Sequence, residues 1–163
     1  MPTIHLTTLV HAPAETVFNL SRHIAMHKKT MEHTGERAIA GVTTGLINLN
    51  ETVTWEGKHL FKKRRFTSKI TEMKPFDNFT DEMVLGDFKS FKHQHHFKQI
   101  ENGTIIIDIL DYETPYGIIG QLFNSLYMHS YLEALIKKRN DMIKEYAESK
   151  KWEALLPPPN RVS

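Results

Sequence analysis

The chain has 163 residues, 40% of them hydrophobic and 25% charged, which is the balance of a globular chain and excludes general disorder. A formal charge of +2 is too small to call for a nucleic-acid partner, and the lack of cysteine excludes disulfides, thiolate metal sites and a cysteine nucleophile. No run approaches the roughly 18 apolar residues of a membrane span and no secretory leader pattern opens the chain, so a soluble cytoplasmic protein without stable membrane insertion is the expectation.

Ile4–Val10 reads as a first strand, followed by a short helix opened by Pro13 and Glu15 and carrying Val17, Phe18 and Leu20 on its apolar side. His23–Thr34, rich in histidine and methionine, reads as a second short helix ending near Gly35. Met26, His27, Met31 and His33 in it suit either an adaptable pocket mouth or plain packing. Strands are expected at Arg37–Val42, Glu51–Gly57, Leu60–Met73, Phe79–Leu85, Phe88–Ile100 and Thr104–Glu113, with turn clusters at Lys74–Asn78 and Gly86-Asp87. Asn102-Gly103 is the strongest hairpin signal. From Gly117 onward, Ile118, Leu122, Leu126, Leu132, Ile136 and Ile143 recur at helical spacing, predicting one amphipathic helix of about 30 residues. Residues 1–150 are read as a single domain, and 151–163, ending in Pro157-Pro158-Pro159, as a loose tail.

The predicted order is therefore strand, two short helices, six strands and a long helix. One helix cannot cover both faces of a six- to seven-stranded antiparallel sheet. The sheet must curl around it, an α+β architecture with room for a cavity between the two.

At this point the chain resembles the START-like (SRPBCC) superfamily of helix-grip proteins, which includes Bet v 1 relatives and polyketide cyclase/dehydrase-like proteins. The likeness spans about residues 3–149. It rests on His11-Ala12-Pro13-Ala14-Glu15-Thr16-Val17-Phe18, on Thr52-Val53-Thr54-Trp55 with His59, on Gly86–Phe97, and on Asp108…Tyr112 followed by Pro115-Tyr116-Gly117. The resemblance implies carriage of lipids, sterols or hormones, or cyclisation of polyketides. The oxygenase branch of the superfamily also needs iron–sulfur ligands, for which this cysteine-free chain has no thiolates. No catalytic residue set is common to the superfamily, so none is carried over, and no cofactor is called for.

A turn at Asn102-Gly103 pairs His95 with Leu110, Phe97 with Asp108 and His93 with Tyr112. Phe91, His93, His95, Phe97, Asp108, Leu110 and Tyr112 then share an inner face, with Lys92, Gln94, His96 and Lys98 outside. This arrangement leaves Ile105, Ile107 and Ile109 on the wet side, a conflict that a bulge or a register shift would resolve. The expected cavity takes its apolar wall from Trp55, Phe88, Phe91, Phe97, Leu122, Phe123 and Leu126, and its polar groups from His59, His93, His95, Asp108 and Tyr112.

The polar set has several readings. It can fix the polar end of a small hydrophobic ligand. It can act chemically on a carbonyl-bearing substrate, with His95 as base and Asp108 orienting it. It can also be self-satisfied packing in a partner-binding module. Zinc is a rival use of His93 and His95, with His59, Glu82 or Asp108 as the third ligand, although H-x-H pairs arise easily among ten histidines, and no metal is assigned. The basic run Lys62–Arg65 between Phe61 and Phe66 is read as a charged strand that discourages edge pairing rather than as a nucleic-acid reader. Nothing in the pattern sets the oligomeric state.

Overall fold

A computed structural model describes residues 1–157. Its elements are β1 (Thr3–Val10), α1 (Ala14–Ser21), α2 (Ile24–Thr30), a 3-10 turn (Glu32–Thr34), β2 (Arg37–Gly41), β3 (Thr52–His59), β4 (Lys62–Lys74), β5 (Asn78–Leu85), β6 (Ser90–Ile100), β7 (Gly103–Glu113), α3 (Gly117–Phe123), a π-helical turn (Asn124–Met128), α4 (His129–Glu148) and a closing 3-10 turn (Lys150–Ala154). The seven strands form one antiparallel sheet in the order β1-β7-β6-β5-β4-β3-β2, curled around the C-terminal helix in the helix-grip arrangement.

The local reasons are visible in the caps. Pro13 holds an extended conformation before α1, where a missing N–H costs nothing, and the free N–H of Ala14 donates to Gln99 Oε1 at 2.7 Å. The ring of His23 accepts from the N–H of Ala25 and caps α2, and Gly35, in the left-handed region, ends the turn that follows. Beneath these helices Phe18 meets Phe79 and Phe97 edge-on at 5.7 and 5.3 Å, at the centre of a core that includes Val17, Met26, Trp55, Ile106 and Ile143. Burial of one such ring contributes about 1.5–3 kcal/mol.

Four expectations are corrected. First, the β6–β7 register differs by two residues: His95 faces Asp108, Phe97 faces Ile106 and Phe91 faces Tyr112, with the turn at Glu101 and Asn102. Gly103 is a strand residue whose missing Cβ leaves room for the Val10 carbonyl, which a Cβ would approach to 2.3 Å. A shift of two preserves the faces, so the inner set stands and Ile105, Ile107 and Ile109 stay on the outer side, half-buried.

Second, the long helix expected from Gly117 is formed, running without a gap through α3, the π-helical turn and α4 to Glu148, but the π-helical turn breaks its apolar stripe. Tyr116 and Gly117 both have positive φ, and the π-helical turn separates α3 from α4. The Tyr112 hydroxyl donates to Asn124 Oδ1 and lies 3.3 Å from His129 Nδ1, so one side chain holds both ends of that turn. A wide turn rotates the face of the residues before it. Leu122 and Leu126 are accordingly 61% and 74% exposed rather than inside.

Third, the chain beyond 150 is packed as far as Leu156: Lys150–Ala154 form the closing 3-10 turn, and Leu156 is buried in the core beside Trp152. The rest of the expected tail, 158–163, lies outside the described residues. Fourth, the strand expected from Leu60 begins at Lys62: Leu60 and Phe61 both adopt positive φ in the β3–β4 turn, and Phe61 is 94% exposed.

Candidate functional site

A cavity of about 1250 Å³ lies between the inner face of the sheet and the helical segments α3–α4. Its floor is built from β5, β6 and β7, whose alternation sends every second side chain inward. Asp81 on β5 is the cross-strand neighbour of His93 on β6, and His95 is the cross-strand neighbour of Asp108 on β7. His93 Nε2 and His95 Nδ1 both donate to Asp108 Oδ1, at 2.9 and 3.0 Å. His95 Nε2 is 2.8 Å from Asp81 Oδ2, and the two imidazole rings lie 3.8 Å apart.

Asp108 has no exposed surface and is served from the helix side as well: Asn140 Nδ2 donates to its Oδ2 at 2.6 Å, and Arg139 Nη1 stands 3.6 Å from its Oδ1. Burial by itself raises the pKa of this carboxyl. The hydrogen bonds from His93 and His95, with Arg139 nearby, outweigh burial and hold it well below the usual carboxylate range. Burial likewise works on Asp81, and the bond with His95 keeps that carboxyl low. His93 is shifted by burial and by the neighbouring His95, which lower its pKa and favour the neutral ring.

A second cluster stands on the side wall. Glu36, just after the turn ended by Gly35, accepts from His27 Nε2 at 2.8 Å and from His59 Nε2 at 2.9 Å. His59 Nδ1 pairs with the Tyr131 hydroxyl at 2.6 Å, and His27 stacks on Trp55 at 4.1 Å. Burial opposes the charge on Glu36, but the two histidine bonds prevail and bring its pKa down to about 2.

Of the sequence-predicted site residues, Trp55, His59, Phe88, Phe91, His93, His95 and Phe123 line the cavity. The others do not. Phe97 is core beneath Phe18, and Tyr112 is fully buried with its hydroxyl engaged by Asn124. Asp108 stands behind the two histidines, while Leu122 and Leu126 sit on the outer side of the π-helical turn. Glu82, named as a possible metal ligand, pairs with the outward Lys92, and the acid beside the histidines is its neighbour Asp81. Asp81, Glu36, Arg139 and Asn140 escape a reading by motif. A signal for the last two exists: positions 132, 136, 139, 140, 143 and 147 form the buried stripe of α4, which places Arg139 and Asn140 inward despite the preceding lysines.

Three residues of the basic run of β4 are engaged in ion pairs. Lys63 and Arg65, with Arg37, surround the buried Glu56 at 2.8–3.0 Å, and Arg64 pairs with Asp87. At the cavity rim, Phe61 on one side and Tyr116 and Ile119 on the other are exposed lining residues. Among the described residues no helix is long and apolar enough to cross a membrane.

Residues 10–126 match the family described as polyketide cyclase/dehydrase and lipid transport. The chain belongs to that family. Solved structures similar to this member include an aromatase/cyclase, Zhui, from Streptomyces sp. R1128, with a TM-score of 0.72 at 10% identity, covering 90% of this chain and 93% of that one. A protein from Thermus thermophilus, TTHA0849, is similar with a TM-score of 0.70 at 20% identity, over 90% and 99% of the two chains. The major latex-like protein 151 from Panax ginseng is similar at 0.66 and 15% identity, over 90% and 97%. At these identities the likeness is one of fold. No curated protein sequence matches the chain.

Proposed function

We propose that this family member binds a small, mostly apolar molecule, lipid-, sterol- or polyketide-like, between its sheet and its C-terminal helix, with the molecule's polar end against the histidine clusters. The observation that carries this reading is the cavity itself: about 1250 Å³, walled by Phe91, Phe123, Leu132 and Ile136, with polar groups gathered in two places. The cyclase or dehydratase alternative would use the same space. Binding is favoured because both ring nitrogens of His95 are held by carboxylates and Asp108 has no surface to offer a substrate. A cysteine-free binder suits the reducing cytoplasm, where we place it.

The test is displacement of an anilinonaphthalene sulfonate probe by fatty acids, sterols and fused-ring aromatics. Leu135 lines the cavity, and Leu135→Trp should weaken probe binding about tenfold, roughly 1.4 kcal/mol. Leu126→Trp, outside the wall, should leave it unchanged. Full probe affinity in Leu135→Trp would sink the reading.

A further inference from the structure

We propose that Asp81, His93 and His95 form a divalent-cation site of the zinc class on the cavity floor. Each offers one ligand atom, and these atoms all lie within 4.8 Å of one another; among the described residues no other such group of histidines and acids gathers so closely. Two imidazoles and one carboxylate are a donor set that zinc and its borderline neighbours accept. All three residues line the cavity, so a fourth coordination position opens toward whatever occupies it.

The surroundings have the form that a metal site needs and that simple polar packing does not. Asp108 accepts an N–H from each ring, from Nε2 of His93 and Nδ1 of His95. That fixes both tautomers and turns the remaining nitrogen of each ring into a lone-pair donor. In His95 that remaining nitrogen, Nε2, already lies 2.8 Å from Asp81 Oδ2, so two donor atoms converge on the floor. Asp108 is fixed in turn by Asn140 at 2.6 Å, and Asn140 by Thr8 at 3.2 Å, so the support reaches from β7 through α4 to β1. The charge also suits a cation. Asp81 and Asp108 bring two negative charges to the floor; the Arg139 guanidinium offsets the charge of Asp108, and that of Asp81 is left to face a cation.

The Glu36 cluster lacks these properties. Its carboxylate gives one oxygen to each histidine, and Tyr131 takes the outer nitrogen of His59. It therefore serves as the internal control. The inference is independent of which organic ligand the cavity takes.

The experiment is titration of the full chain with Zn(II), followed by calorimetry, and with Co(II), followed by visible absorption and paramagnetic shifts of the imidazole protons. One ion per chain is expected, with the shifted signals belonging to His93 and His95. Asp81→Asn and His95→Gln should each weaken Co(II) binding by at least about tenfold, and the positioning variant Asp108→Asn by about 10–100-fold, while Glu36→Gln leaves it unchanged. The wild-type shifts decide the matter even if a variant fails to fold. Absence of one-to-one binding overturns the proposal, as do shifts confined to His27 and His59, or binding that survives Asp81→Asn but is lost in Glu36→Gln.

Discussion

The two histidine–carboxylate clusters use the same side chains and differ in what stands behind them. On the side wall, Glu36 is the centre: both of its oxygens are taken by histidines, and the arrangement closes on itself through Tyr131. On the floor the centre, Asp108, is behind the histidines, so their other edges face Asp81 and the cavity. On the side wall one carboxylate sits between two imidazoles, whereas on the floor two carboxylates, Asp108 on β7 and Asp81 on β5, flank the β6 histidines in a row across the sheet. Position across the sheet, more than residue type, separates the two arrangements.

The largest effect that tests this contrast is Asp108→Asn. It leaves the N–H groups of two buried histidines and of Asn140 facing an amide, and should lower stability by about 3–4 kcal/mol, read as a shift of the urea midpoint at neutral pH. A loss below that of the Glu36 variant would reverse the ranking of the two clusters.

Glu36→Gln should follow. Its native pKa of about 2 lies below the ordinary 4.5, so the unfolded chain takes up the proton first as pH falls. The stabilisation, about 3 kcal/mol from that difference, is fully present above pH 4.5 and is lost as pH falls from there toward 2. Wild type and Glu36→Gln should therefore differ above pH 4.5 and converge as pH falls from there toward 2, as measured by urea unfolding across that range. A gap that does not close between pH 4.5 and 2 contradicts a clamp at Glu36.

The smallest effect is that of Tyr131→Phe, which removes one partner of His59 and should cost about 0.5–1.5 kcal/mol in thermal or urea unfolding, with no change in Co(II) binding at the floor.

Strands are more legible than helices in this chain because their signal is short-ranged. Alternation in Phe91, His93, His95 and Phe97 is enough to place the floor histidines on one face, and a register error of two leaves that conclusion intact. The error comes from reading Asn102-Gly103 as the turn itself, when Gly103 is needed for its close approach to the Val10 carbonyl. The helix misleads for the opposite reason. A 3.6-residue stripe through Ile118, Leu122 and Leu126 carries no mark of a wider turn, which depends on a contact made from another element, the Tyr112 hydroxyl to Asn124. The second cluster is hidden because Glu36, His27 and His59 come from three segments joined by the turn after α2 and by the pairing of β2 with β3. Phe97 and Tyr112 illustrate a remaining limit of pattern reading: an inward face contains both cavity wall and packed core, and alternation does not divide them.

The π-helical turn also bears on how such a protein changes over generations. It holds one residue more per turn than the helix on either side, and Tyr112 grips its two ends. A single-residue insertion or deletion at this point can be absorbed by interchange of wide and ordinary turns, without shifting α4 against the sheet. The roof of the cavity can then change by one amino acid at a time while Asp81, His93 and His95, carried on β5 and β6, keep their register.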